Sequence, residues 1–296
     1  MKKLRGVIPP MITPFQENGD LNESAIRELV TYLSDKVDGL FICGSYGCGA
    51  LMSLEERMRV AEIVKETARP ETTIVVHTGT TNTRDTITLT RHAASIGCDA
   101  ASAVGPYYYK YASDAIYKYY SDVLKAVGDT IPFYAYHNPG FQGYETDLNV
   151  FRRLKQEGLA GIKDATFDVM KFAVYQRELV DESFDVALGT EAIWVSAHAL
   201  GCQAYIPGIG NVFPELCKKM WSLSMEGKAD EALRMQFTIN KLRDIMYLAR
   251  STQLAIYAIA EIRGIIKAYP RAPFIPASAE EKQAIARALD EVGLLA

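Results

Sequence analysis

The chain has 296 residues, a formal net charge of −4 and 23% charged side chains. This length suits a single large domain, and the sequence has neither a basic block nor an apolar run of about 18 residues, which argues against nucleic acid and membrane partners. The basic N-terminus leads into prolines rather than the apolar core of a signal peptide, and the five cysteines form no C-x-x-C pair. We therefore expect a cytoplasmic protein with reduced thiols.

Short apolar runs alternate along the chain with amphipathic stretches, a pattern typical of buried parallel strands joined by helices. In chain order, strands are predicted at residues 6–12, 39–43, 72–77, 100–104, 132–137, 159–163, 184–188 and 204–207. Helices are predicted to open near Asn22, Ser53, Thr83, Ser113, Asp147, Asp168 and Glu191, and just after Phe213.

Eight strand-then-helix units predict an α/β fold, a (β/α)₈ TIM barrel, over residues 1–227. Residues 228–296 contain no strand-like run and no Gly/Ser linker, so they are predicted to form a C-terminal helical extension packed on the barrel. The first strand is not followed by G-x-G-x-x-G, which argues against a dinucleotide-binding sheet.

Active sites of such barrels lie at the C-terminal ends of the strands, where Lys163 closes the sixth apolar run. Lysine is rarely buried without a reason. Burial disfavours the ammonium form, and the resulting neutral amine can attack a ketone to form an imine. The alternative is a lysine that reaches solvent or pairs with Asp164.

Two neighbouring strand ends add candidate groups. Tyr136 ends the fifth strand, within reach of Lys163, and a phenol there can relay protons; the alternative is a packed aromatic side chain. The turn at residues 44–47 offers backbone N–H groups and the Ser45 hydroxyl, which suit a carboxylate. The histidines have no metal-binding spacing, so we predict neither a metal nor a cofactor, and strand alternation directs His137 away from the pocket.

Several motifs point to one family when they are taken together. They are Ile12-Thr13-Pro14-Phe15, Gly44-Ser45-x-Gly47, Pro106-Tyr107-Tyr108, Tyr136-x-x-Pro139-x-x-x-Gly143 and Gly161-Ile162-Lys163-Asp164-Ala165-Thr166. In these motifs, which are spread over nearly the whole chain, the sequence resembles the dihydrodipicolinate synthase / N-acetylneuraminate lyase family. The resemblance implies a class I aldolase that joins or separates pyruvate and an aldehyde through a lysine Schiff base, in a homotetramer built as a dimer of dimers.

The resemblance also implies roles for matched positions. Lys163 is the expected imine-forming residue and Tyr136 the expected proton relay. Ser45 is expected to link to this tyrosine, and the Ser45 and Tyr46 amides to hold the substrate carboxylate. Tyr108 is expected to enter the site of a neighbouring subunit.

Further substrate-binding positions are predicted at the last two strand ends and in the tyrosine motif. Ile206 is the expected apolar contact to pyruvate, with Gly189 and Gly208 beside the substrate. Glu191 lies near acidic residues that bind sugar hydroxyls in sialic acid lyases, although a helix N-terminal carboxylate is the alternative.

Three departures from the family pattern bear on the substrate. Tyr46 stands where the family has threonine, and this bulkier side chain is expected to reshape the pocket. Cys48 stands where the family has glutamate. Phe141 stands where dihydrodipicolinate synthases have a carboxylate-binding arginine. Phe141 argues against dihydrodipicolinate synthesis and Glu191 favours a polyol, so the expected reaction is cleavage or synthesis of a 2-keto-3-deoxy sugar acid or an N-acetylneuraminate-like substrate. The alternatives are 4-hydroxy-tetrahydrodipicolinate synthesis, hydration or dehydration of a related keto acid, and a non-catalytic binding role.

Overall fold

Eight parallel strands form the centre of the protein in the computed structural model, which describes residues 3–295. The strands are β1 (Gly6–Val7), β2 (Gly39–Ile42), β3 (Thr73–His77), β4 (Ala100–Val104), β5 (Phe133–His137), β6 (Gly161–Asp164), β7 (Asp185–Leu188) and β8 (Ala204–Tyr205). Met1, Lys2 and Ala296, at the outer limits of the two predicted segments, lie outside the described residues.

The strands run in the order β1-β8-β7-β6-β5-β4-β3-β2, and the remaining seam lies between β1 and β2. A parallel bridge between Pro10 and Phe41 spans this seam, with the Met11 amide donating to the Phe41 carbonyl at 2.9 Å. The predicted barrel is therefore confirmed. The first strand is shorter than predicted because Pro9 and Pro10 have no N–H groups to extend the ladder.

Helices surround the barrel and follow it. They are α1 (Glu23–Ser34), α2 (Leu54–Thr67), α3 (Thr83–Ser95), α4 (Ser113–Val127), α5 (Pro139–Gln142), α6 (Leu148–Gln156), α7 (Val169–Leu179), α8 (Trp194–Ala199), α9 (Pro214–Met225), α10 (Ala229–Met246), α11 (Thr252–Ile262) and α12 (Ala279–Glu291). None of the helices in residues 3–295 combines the length and apolar character that a membrane crossing requires.

Side-chain caps explain most of the predicted helix starts. Asn22, Ser53, Asp147 and Asp168 each accept a hydrogen bond from a first-turn amide. The helix predicted from Glu191 is the exception, since α8 begins only at Trp194. Residues 190–193 instead form a turn in which the Thr190 hydroxyl accepts from the Ala192 amide at 3.1 Å.

The β5–β6 register decides which side chains enter the barrel. Tyr136 is paired with Lys163, and His137 with Asp164. Alternate residues of a strand face opposite sides, so the first pair points into the barrel and the second towards the helices. The His137 Nδ1 accordingly lies 2.9 Å from the Tyr175 hydroxyl of α7, which confirms the outward orientation predicted for this histidine.

Candidate active site

Lys163 lies in the barrel interior with only 3% of its surface exposed. Its Nζ is 3.6 Å from the ring centroid of Phe41 and 4.0 Å from that of Tyr136. Burial lowers the pKa of the Lys163 ammonium well below its ordinary value. Asp164 is not its partner, because that carboxylate accepts from the Thr166 amide and hydroxyl, both at 3.2 Å. Both alternatives for Lys163, a solvent-exposed amine and a pair with Asp164, are therefore wrong.

The aromatic ring of Tyr136 lies beside the Lys163 amine. Its ring packs edge-on against Phe41 with a centroid separation of 6.0 Å, and its hydroxyl accepts from the Asn138 side-chain amide at 3.0 Å. Burial raises the pKa of Tyr136, and the nearby Ser45 hydroxyl and Asn138 amide oppose that rise. The phenol therefore holds its proton at neutral pH and is placed to donate it.

His77 and Arg57, which the sequence did not single out, complete the surroundings. The His77 ring is 5.9 Å from the Tyr136 ring, and its Nε2 accepts from the Val104 amide at 3.1 Å. Burial, together with the Arg57 charge, lowers the pKa of His77 well below its ordinary value. Arg57 is buried and donates to the His77 and Gly79 carbonyls at 2.6 and 3.0 Å.

A cavity of about 290 Å³ opens at the C-terminal ends of the strands. Ser45, Tyr136 and Phe141 are the predicted site residues that line it. None of the described residues lining it is Asp, Glu, Lys or Arg. The lining residues are Gly44, Ser45, Cys48, Gly49, Ala50, Leu51, His77, Gly79, Val104, Tyr107, Tyr136, Phe141, Gln253, Pro273 and Phe274.

The turn after β2 presents free hydrogen-bond donors beside this cavity. Among the described residues, the Ser45 and Tyr46 amides have no acceptor. The Ser45 carbonyl accepts from the Cys48 amide at 3.2 Å and from the Gln253 side chain at 3.1 Å, which holds the turn in place. Two free amides in a fixed turn form a nest suited to a carboxylate.

Tyr46 is not among the residues that line the cavity. Its hydroxyl contacts the Thr252 hydroxyl at 3.0 Å, and its ring lies where a side chain at position 208 would be. A Cβ at Gly208 would approach the Tyr46 ring to 2.5 Å, so this close packing requires glycine. Tyr46 thus fills space beside the site rather than lining the cavity, which differs from the reshaped pocket expected from sequence.

Glu191 also differs from expectation. It is 1% exposed, pairs with Arg243 of α10 and accepts from the Gly208 amide at 2.8 Å. It neither lines the cavity nor begins a helix. Its carboxylate is bonded to Arg243 and to the Gly208 amide. The predicted role of Glu191 in binding sugar hydroxyls therefore has no support in this arrangement.

The remaining predicted residues lie outside the cavity lining. Ile206 is buried in the barrel interior, and Gly189 packs so closely on β6 that a Cβ would lie 2.7 Å from the Asp164 carbonyl. Tyr108 has positive φ and is 85% exposed, with its ring 4.9 Å from that of Tyr109. It does not line the cavity of this chain.

Sequence reasoning missed the contribution of the C-terminal segment. Gln253, Pro273 and Phe274 line the cavity, and the Tyr257 hydroxyl donates to the Thr13 carbonyl at 2.7 Å. No local motif marks these residues. The polar Ser251-Thr252-Gln253 start of an otherwise apolar helix is the one signal that the sequence offers.

Comparison with known proteins gives consistent results. The sequence profile described as "Dihydrodipicolinate synthetase family" matches residues 3–292. An N-acetylneuraminate lyase of Pasteurella multocida (strain Pm70) is 30% identical over 295 residues, 98% of both chains. A 4-hydroxy-tetrahydrodipicolinate synthase of Phenylobacterium zucineum (strain HLK1) is 30% identical over 293 residues, again 98% of both chains. The structure of a catalytic lysine mutant of a Ruminococcus gnavus sialic acid aldolase superposes with a TM-score of 0.93 at 25% identity, covering 100% of this chain and 98% of that one.

Proposed function

This chain belongs to the dihydrodipicolinate synthetase family of lyases, and we propose that it is a pyruvate-dependent aldolase in which Lys163 forms the Schiff base. The observation that carries the proposal is the burial of the Lys163 amine beside the Tyr136 phenol, because burial lowers the pKa of this amine and so favours its unprotonated form. An unprotonated amine is the nucleophile that a keto acid needs.

The cavity supplies the other groups that imine formation requires. The Ser45 and Tyr46 amides hold the pyruvate carboxylate. The Lys163 amine attacks C2 and passes one of its N–H protons to the carbonyl oxygen. Tyr136 delivers a second proton to this oxygen, which leaves as water, and Tyr136 becomes a phenolate. The iminium then withdraws electrons from C3. Transfer of a C3 proton to the Tyr136 phenolate gives an enamine that adds to an aldehyde carbon, and the same steps in reverse cleave the product.

Particular residues bear on each of the competing functions. A non-catalytic role would not explain a desolvated lysine beside a proton-bearing phenol. Synthesis of 4-hydroxy-tetrahydrodipicolinate is disfavoured by Phe141, because a phenyl ring cannot pair with the carboxylate of the aldehyde substrate. The preference for a sugar acid as substrate rested partly on Glu191. Its carboxylate pairs with Arg243, which removes that support.

We further propose that the enzyme is cytoplasmic and forms a homotetramer built from dimers. Tyr108 and Tyr109, exposed by 85% and 65%, form an aromatic surface of the kind that subunit interfaces cover.

Borohydride trapping tests the reaction. Incubation with pyruvate and borohydride is expected to add one reduced pyruvyl group to each chain, mapped to the peptide that contains Lys163. The Lys163→Met variant, which keeps a long apolar side chain but lacks the amine, is expected to fold and to form no adduct. An adduct of equal yield in Lys163→Met, or none in the parent chain, would refute the proposal.

A further inference from the structure

We propose that the aldehyde partner of this enzyme is an uncharged, apolar molecule of the aromatic type, rather than a polyol or a carboxylate-bearing aldehyde. This inference rests on the proposed Schiff-base function and specifies its second substrate. It is carried by the chemistry of the cavity beyond Tyr136, where the aldehyde carbon must approach the enamine.

Apolar groups from distant parts of the chain converge on this space. Val104 and Tyr107 come from the end of β4, and Leu51 comes from the turn after β2. Phe141 lies in α5, and Phe274 belongs to the C-terminal segment. Because the lining is mainly carbon, it favours an apolar substrate.

Three polar groups near the cavity already have protein partners. His77 Nε2 accepts from the Val104 amide at 3.1 Å, and the Tyr46 hydroxyl lies 3.0 Å from the Thr252 hydroxyl. Glu191 is paired with Arg243. A polyol would give up its hydrogen bonds to water on entering this space and would find few replacements, which disfavours its binding.

Phe141 provides the most direct indication. It is 55% exposed although it is a large aromatic residue, and it lines the cavity. Its position on α5 is fixed by the Asn138 side chain, which accepts from its amide at 3.2 Å. A flat apolar aldehyde would cover part of this exposed ring, whereas a charged one would lose hydration against it.

The reaction is balanced with such a substrate. The enamine C3 forms a bond to the aldehyde carbon, and the aldehyde oxygen takes up one proton. Water then hydrolyses the imine at Lys163. The product is a 4-hydroxy-2-keto acid with an apolar substituent at C4, and the free amine is regenerated.

A small substrate panel tests the inference. Condensation with pyruvate is measured for benzaldehyde, D-glyceraldehyde and L-aspartate semialdehyde. For the parent enzyme, kcat/KM for benzaldehyde is expected to exceed that for each of the others by about tenfold or more. Phe141→Arg is expected to lower the value for benzaldehyde and to raise the value for the semialdehyde. Phe237→Arg changes a ring that is 59% exposed and outside the cavity lining, and it should leave the ranking unchanged.

Trapping of pyruvate in the same preparations separates the two levels of the proposal. An adduct at Lys163 together with a preference for glyceraldehyde or the semialdehyde would overturn the apolar substrate and leave the Schiff-base function intact. An equal shift in ranking for Phe141→Arg and Phe237→Arg would also overturn it. Absence of any adduct in the parent enzyme would overturn the Schiff-base function itself.

Discussion

The protonation state of Lys163 affects both the reactivity of its amine and the stability of the folded protein. In the unfolded chain its amine has an ordinary pKa of about 10.4, whereas burial lowers the pKa in the folded state. Between those two pKa values the unfolded chain binds the extra proton, so the Lys163 contribution to stability rises with pH and is unfavourable at neutral pH. The Lys163→Met control should therefore unfold at a temperature equal to or above that of the parent at pH 7.

The role of Tyr136 can be separated from packing by removing only its hydroxyl. For Tyr136→Phe we expect kcat to fall about 100-fold, because the proton donor is lost, with little change in the unfolding temperature. Steady-state kinetics and thermal unfolding provide the measurements.

Tyr134→Phe is the matched control for this change. Tyr134 is also buried in the barrel, but its hydroxyl donates to Asp185 at 2.8 Å and it does not line the cavity. This control should lose stability rather than activity. If Tyr136→Phe kept normal turnover, the phenol would be a packing residue.

At the scale of elements, α11 supports the turn that is proposed to bind the substrate carboxylate. The Gln253 side chain donates to the Ser45 carbonyl at 3.1 Å and lines the cavity. We expect Gln253→Ala to raise the KM for pyruvate about tenfold, because the turn carrying the free amides is less firmly held. Gln283→Ala, on the exposed face of α12, is the control and should leave KM unchanged. Equal KM values in all three proteins would show that α11 does not hold the turn.

Element boundaries show what sequence patterns can and cannot predict. The strands and most helix starts followed from apolar runs and local caps such as Ser53 and Asp168, since these signals lie within a few residues. The late start of α8 could not be predicted from such local signals, because Glu191 is held by Arg243, which lies 52 residues away in sequence. Residues 273–274 near the cavity are a similar case, because their position depends on how the C-terminal segment crosses the barrel. The division at 227/228 stays a prediction, and the segment after it contributes to the site.

At the scale of the whole molecule, Tyr108 makes the proposed assembly testable. We expect mixed oligomers of Lys163→Met and Tyr108→Phe chains to recover activity that each variant alone lacks. In such an oligomer, a subunit with intact Lys163 receives an intact Tyr108 from its neighbour. Activity is measured after co-refolding, and mass spectrometry verifies the mixing. Verified mixed oligomers without recovery would mean that Tyr108 does not act across an interface.

The hydrogen bond from Tyr257 to Thr13 joins residues 244 positions apart, and it has a consequence for biosynthesis. A ribosome adding about 5–20 residues per second needs roughly 10–50 seconds to make the second partner after the first. During much of that interval the N-terminal strands of the nascent chain lack later strands such as β8, which pairs with β1, and Pro273 and Phe274, which line the cavity, are made only afterwards. Their apolar edges are exposed to other chains, as is common in folds dominated by distant contacts. The complete active site can therefore form only near the end of translation, once residues 253–274, which line the cavity and hold the Ser45 turn, have been made.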